Sequence, residues 1–189
     1  QLQQVARDTG LDITLYPGCE IYCVYEEPNE VLQGVLDGRY APLGNSGYVL
    51  LEFNPGDSSR DIVEFIQEYI RLARELNVKP QRVLLAHAER YDDLCADTAA
   101  LDRLRVMGVL IQINAYNLME EQNEQRKENA RRLLKEGRVF CIGSDAHRTY
   151  HREPNMESGI RYIFETCDEE TAQAICYDNG KQLLLGQLG

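Results

Sequence analysis

The sequence has 189 residues, 43% of them apolar and 27% charged, enough for one compact domain with a substantial core. Its 20 lysines and arginines against 31 aspartates and glutamates give a formal charge of −11, which repels phosphate backbones and anionic membranes and argues against nucleic acid as a partner. No run approaches the roughly 18 consecutive apolar residues of a membrane span, and no signal-peptide pattern is visible, so a cytoplasmic chain without membrane insertion is expected.

Residues 1–10 read as the last turns of an amphipathic helix closing at Gly10. A strand follows over 12–16, with a reach on to Val24, and further Val-, Ile- and Leu-rich strands are predicted over 48–53, 82–87, 109–114 and 139–142. Between them the apolar spacing turns helical. Ser58 and Ser59 offer N-caps to a stripe of Ile62, Phe65, Ile66, Tyr69, Ile70, Ala73 and Leu76 that ends at Asn77. Helices over 98–107 and 122–135 are closed by Gly108 and Gly137, and the C-terminal part reads as helices over 158–166, 169–177 and 179–188. Strands alternating with helices predict an α/β fold with a mainly parallel sheet, in one domain spanning residues 1–189 without repeats or linkers.

The chemistry gathers where strands end. The 48–53 run carries Glu52, the 82–87 run ends on His87, the 109–114 run ends on Asn114, and the last run is followed by Asp145 and His147. Glu20 is expected just after the first strand. In βα architectures the loops after the strands build the active face, so these groups are expected to converge. Glu20, Glu52, His87, Asp145 and His147 make a mixed nitrogen and oxygen ligand set suited to Mn, Fe, Zn or Mg, and three carboxylates in one pocket call for a cation to offset their repulsion. Arg90 is read either as a planar fork for a phosphoryl group or as the ion-pair partner of Glu89 or a nearby acid. Arg148 could serve a phosphoryl group in the same way, and His151 is read as a surface loop residue. The six cysteines, at 19, 23, 95, 141, 167 and 176, show no zinc-ribbon spacing and none opens a Cys-x5-Arg loop; they are expected to be structural thiols.

The segments Pro17-Gly18-Cys19-Glu20-Ile21-Tyr22, Leu51-Glu52-Phe53, Leu84-Leu85-Ala86-His87-Ala88-Glu89-Arg90-Tyr91 and Gly143-Ser144-Asp145-Ala146-His147 resemble, in this order, the polymerase and histidinol phosphatase (PHP) superfamily. More narrowly they resemble the metal-dependent tyrosine-protein phosphatases of bacterial capsule and exopolysaccharide clusters. That resemblance implies a distorted βα barrel and a centre of up to three metal ions, commonly manganese, hydrolysing phosphotyrosine on a partner tyrosine kinase by attack of a metal-bound hydroxide. Carried over by motif, Glu20 would bridge two metals, Glu52 and His87 would complete the shell of one of them, Asp145 would complete another, His147 would serve the third, and Arg90 would hold the phosphate. The family's His-x-His opening has no counterpart among His87, His147 and His151, so the barrel is expected to be incomplete at its N-terminus by about two βα units, on the order of 60 residues. That departure keeps open a catalytically impaired regulatory or binding domain, and the shared scaffold keeps open a small-molecule phosphoesterase such as a histidinol phosphatase. A homo-oligomer is also compatible with the sequence.

Overall fold

The structure, a computed structural model, describes residues 1–120, 123–147 and 154–188. The elements run α1 (Leu2–Asp8), β1 (Glu20–Tyr22), α2 (Pro28–Leu36), β2 (Tyr48–Glu52), α3 (Ser59–Glu75) and β3 (Arg82–Leu85), then α4 (Asp92–Ala96), α5 (Thr98–Val106) and β4 (Leu110–Asn114). They continue with α6 (Glu124–Lys135), β5 (Cys141–Gly143), α7 (Glu157–Thr166), α8 (Glu169–Gln173) and α9 (Asn179–Leu184). Two 3₁₀ turns lie after these strands: Ala88–Arg90, two residues beyond β3, and Ala115–Met119, directly after β4.

All strand pairs are parallel and the order in space is the order in sequence, β1-β2-β3-β4-β5. Among the described residues β1 and β5 have one neighbour each, so the sheet is open rather than closed into the expected barrel. Side chains alternate across it. One face carries Ile21, Val49, Leu51, Val83, Leu85, Ile111 and Ile113 into the main core, against Ile62, Ile66 and Tyr69 of α3 and Leu101 and Leu104 of α5. The other face buries Tyr48, Leu84 and Cys141 under Leu183 of α9. Period-two alternation puts Glu20, Glu52 and Asn114 on this second face, and it is there that the polar groups collect.

The α3 helix forms as its pattern predicts. The Ser58 hydroxyl accepts from the Asp61 N–H at 3.1 Å, the buried positions recur every three or four residues, and the chain leaves through Asn77 at φ +50°. Gly10, at φ +74°, follows α1 as expected. The segment 12–16 departs from expectation. Leu11, Ile13 and Leu15 alternate like a half-buried strand, yet Ile13 remains 48% exposed and no described strand lies beside them. Instead the Gln3 amide donates to the Ile13 carbonyl and accepts from the Leu15 N–H, both at 2.7 Å, so a side chain of α1 satisfies backbone groups a ladder would otherwise take. The first strand sits at Glu20–Tyr22, and Glu20 therefore opens a strand rather than following one. The helices α2 and α4 escaped the sequence reading, and the region 169–177 divides into α8 and a π turn at Ala174–Asp178. No helix among the described residues is long and apolar enough to cross a membrane.

Candidate metal centre

The residues at the carboxyl ends of the strands are presented by unusual backbone. His87 lies two residues beyond β3 at φ +31°, and Asp145 two residues beyond β5 at φ +48°. Among the described residues only Asn77 shares this positive φ outside glycine. L-residues adopt that region at a cost, and such positions concentrate where a side chain must be aimed.

Glu20, Glu52 and His87 are aimed at one another. One ligand atom from each lies within 4.8 Å of the other two. The imidazole Nε2 of His87, a side chain only 2% exposed, donates to Glu20 Oε1 at 2.9 Å and stands 3.2 Å from Glu52 Oε1. Its Nδ1 has no partner among the described residues, and the ring rests near Tyr91, centroid to centroid 6.1 Å. Burial pushes the Glu52 carboxyl up from its ordinary range; His87 and Arg90 oppose that shift, while Glu20 and Asp145 add to it.

Asp145 and His147 stand outside this trio. The Arg90 guanidinium donates through Nη2 to Asp145 Oδ2 and, at 3.0 Å, to the Tyr116 hydroxyl, and Asn114 Nδ2 donates to the same Asp145 oxygen at 3.3 Å. Arg90 is thus paired with a nearby acid from the segment beyond β5, not with its sequence neighbour Glu89. Burial works against the Arg90 charge, but Tyr116 and Asp145 outweigh it and hold its pKa above the usual arginine range. His147 is half exposed, and its Nδ1 donates to the Asp145 carbonyl at 2.8 Å. A carbonyl only accepts, so Nδ1 is the donor in this contact, and Nε2 is the ring nitrogen not engaged by it. Arg148 and His151 lie outside the described residues.

Three roles in this region went unread in the sequence. Tyr91 is fully buried; its hydroxyl accepts from the Phe53 N–H at 3.0 Å, clamping the β2 exit to the turn after β3. Tyr116 is the second partner of Arg90. Glu89 points away from the site into the core at 0% exposure, where burial raises its carboxyl pKa. The only sequence signal for it was a carboxylate beside an arginine, which ordinarily marks a solvated pair.

A family model described as "Capsular polysaccharide synthesis, CpsB/CapC" matches residues 1–185. The chain belongs to the CpsB/CapC family. It is 26% identical over 193 residues to the tyrosine-protein phosphatase CpsB of Streptococcus pneumoniae, covering 100% of this chain and 75% of that protein. To the tyrosine-protein phosphatase CpsB of Streptococcus agalactiae serotype III it is 25% identical over 147 residues, 75% of this chain and 58% of the relative. A solved structure from work on YwqE of Bacillus subtilis and CpsB of Streptococcus pneumoniae, named as unique metal-dependent tyrosine phosphatases, shares the fold with a TM-score of 0.81 at 21% identity, over 100% of this chain and 71% of the other.

For this CpsB/CapC chain the donor set itself tests whether a cation fits. Two carboxylate oxygens and one imidazole nitrogen meet within bonding reach of a single ion, a mixture suited to a hard or borderline divalent metal rather than to a thiolate-loving one. The like charges of Glu20 and Glu52 and the raised Glu52 pKa make a cation favourable there. Four of the six cysteines are poor rivals as nucleophiles. Burial pushes Cys23, Cys95 and Cys141 up to about 12, and Cys176 up to about 11, against the lowered value a nucleophilic thiol requires.

Proposed function

We propose that this chain is the catalytic domain, over residues 1–189, of a metal-dependent protein-tyrosine phosphatase, hydrolysing phosphotyrosine on a bacterial tyrosine kinase of capsule or exopolysaccharide synthesis. The observation that carries the reading is the meeting of Glu20, Glu52 and His87 on the sheet face where Arg90 is held by Asp145 and Tyr116. The names of the relatives support the substrate class. A cytoplasmic site of action is supported by six free cysteines, three of them buried.

Glu20, Glu52 and His87 would hold one divalent ion, with Asp145 and His147 as ligands for further ions and manganese as the first metal to test. When bound, such ions supply charge that polarises the phosphoryl group and acidifies water. The chain's own part is binding and aim. The Arg90 guanidinium presents a planar fork to the phosphoryl oxygens, and with one Nη2 held by Tyr116 and Asp145 its orientation is set before substrate arrives. Arg148 is assigned to the same phosphoryl group. Nε2 of His87, which stands against Glu20 and Glu52, would be its ligand atom, and Nε2 of His147 would be the nitrogen offered to an ion, since Nδ1 is engaged by the Asp145 carbonyl. No thiol takes part.

The test is Mn²⁺-dependent hydrolysis of a phosphotyrosine peptide alongside histidinol phosphate. His87→Ala and Asp145→Ala are each expected to remove turnover of the peptide. Turnover that survives either change overturns the assignment, and preference for histidinol phosphate would make this a small-molecule phosphoesterase. Peptide binding without any turnover would make it a non-catalytic binding domain.

A further inference from the structure

Glu89 stands between His87 and Arg90 in sequence, within the tight turn Ala88–Arg90, but its carboxylate meets the backbone of Asn114 and the side chain of Asn117 where Arg90 meets Tyr116 and Asp145. A carboxylate at 0% exposure is exceptional and needs polar partners. Besides its own backbone N–H, the carboxylate's partners lie at the exit of β4, and Oε2 has none among the described residues, while the backbone carbonyl is held from α6. Glu89 Oε1 accepts from the Asn114 N–H at 3.2 Å and from the Asn117 side-chain amide. The Glu89 carbonyl accepts from Asn129 Nδ2 at 3.1 Å, and that amide also donates to Asp92 Oδ1 at 2.8 Å.

The residues gripped in this way are the ones that place Arg90 and Asp145. Asn114, whose backbone Glu89 holds, donates its own amide to Asp145 Oδ2. Tyr116, between Asn114 and the gripped Asn117, accepts from Arg90 Nη2. We propose that Glu89 is a positioning residue of the site: by binding the β4 exit from inside the fold, it fixes the turn bearing His87 and Arg90 against the segment that orients Arg90 and Asp145. The proposal rests on the function read above and adds a residue that touches none of the reacting groups.

Two substitutions separate positioning from mere filling. Glu89→Gln keeps an oxygen to accept from Asn114 and Asn117; Glu89→Leu keeps much of the volume but accepts nothing. The direct readout is the side-chain Nε–H resonance of Arg90 in the ¹⁵N-labelled chain, identified by its loss in Arg90→Lys. Arg90 Nε is buried without a partner among the described residues, so its proton is shielded from exchange and sensitive to the pose of the guanidinium. In Glu89→Gln the resonance is expected to stay in place, with kcat for the phosphotyrosine peptide within about threefold of the wild type. In Glu89→Leu the resonance should move or broaden, and kcat should fall on the order of 10²-fold in a chain that still melts cooperatively, since an ångström of misplacement is worth about that much. Should Glu89→Leu fail to fold, Asn117→Ala, which removes one donor to the carboxylate, must move the resonance in its place.

An unmoved Arg90 resonance in the folded Leu variant, or in Asn117→Ala where that stands in, overturns the proposal. So does a Gln variant as damaged as the Leu variant. Should the wild-type chain turn over no phosphotyrosine peptide, the resonance still decides the role of Glu89, so the two readings fail separately.

Discussion

Arg90 joins three strand exits: it grows from the turn after β3 and is held by Asp145 beyond β5 and by Tyr116 after β4. A lysine would keep the charge but not the fork, and its single ammonium could not meet both a phosphoryl edge and Asp145. Arg90→Lys is therefore expected to lower kcat/KM for a phosphotyrosine peptide by about 10²-fold and to weaken competitive inhibition by inorganic phosphate, while the melting temperature moves little. Phosphate inhibition equal to that of the wild type would take the fork away from Arg90. The thiols give a complementary expectation. With pKa values near 12, Cys23, Cys95 and Cys141 present a thiolate fraction of only about 10⁻⁴ at pH 8. Iodoacetamide at that pH should leave these three unmodified in the folded chain, label them after unfolding, and spare metal-dependent turnover. Loss of turnover in step with labelling of any one of them would point to a cysteine mechanism.

At the scale of elements, the approach of α7 to the turn after β4 is set by one glycine. A Cβ on Gly159 would lie 2.1 Å from the Ala115 carbonyl oxygen, backbone that has no flexible end to move aside. Gly159→Ala should cost about 1–3 kcal/mol of stability by overpacking, and because Tyr116 follows Ala115, it should also lower phosphatase turnover. Denaturant melts and kinetics on the same preparation check both; an unchanged midpoint would mean that the helix shifts freely. Legibility from sequence followed the same division between local and tertiary causes. Strands β2, β3 and β4 were readable because β2 and β3 hold continuous Val and Leu runs and β4 is Leu- and Ile-rich, as strands covered on both faces tend to be. The α2 helix was not, since its start is a capping box on Glu27 followed by Pro28, with no serine or threonine to mark it. The 12–16 segment had the alternation of a strand without a neighbour to pair with, which no local pattern reveals. Glu52, His87 and Asp145 were legible as polar residues punctuating apolar runs. Glu89 and Tyr116 were not, because their roles depend on contacts between separate strand exits.

The molecule as a whole carries a charge of −11 and places Glu20 and Glu52 beside each other on the sheet face that α9 covers at its other end. Cation binding must then be linked to stability, since an ion held by side chains from β1, from β2 and from the turn after β3 binds the folded chain and not the dispersed ligands of the unfolded one. At an Mn²⁺ concentration 100 times the dissociation constant the linkage is worth about 2.7 kcal/mol. For a chain of this length that corresponds to a rise in melting temperature of roughly 5–10 °C, reversed by a chelator. Bulk screening of the acidic surface also raises stability, so the comparison belongs at fixed ionic strength, with Na⁺ balancing Mn²⁺. His87→Ala separates the two effects: it removes the nitrogen ligand without changing the carboxylates, and most of the specific shift should vanish with it. A shift of full size in His87→Ala would place the stabilising ion elsewhere on the acidic surface, and the Glu20, Glu52 and His87 cluster would then be an internal hydrogen-bonded group rather than a metal site.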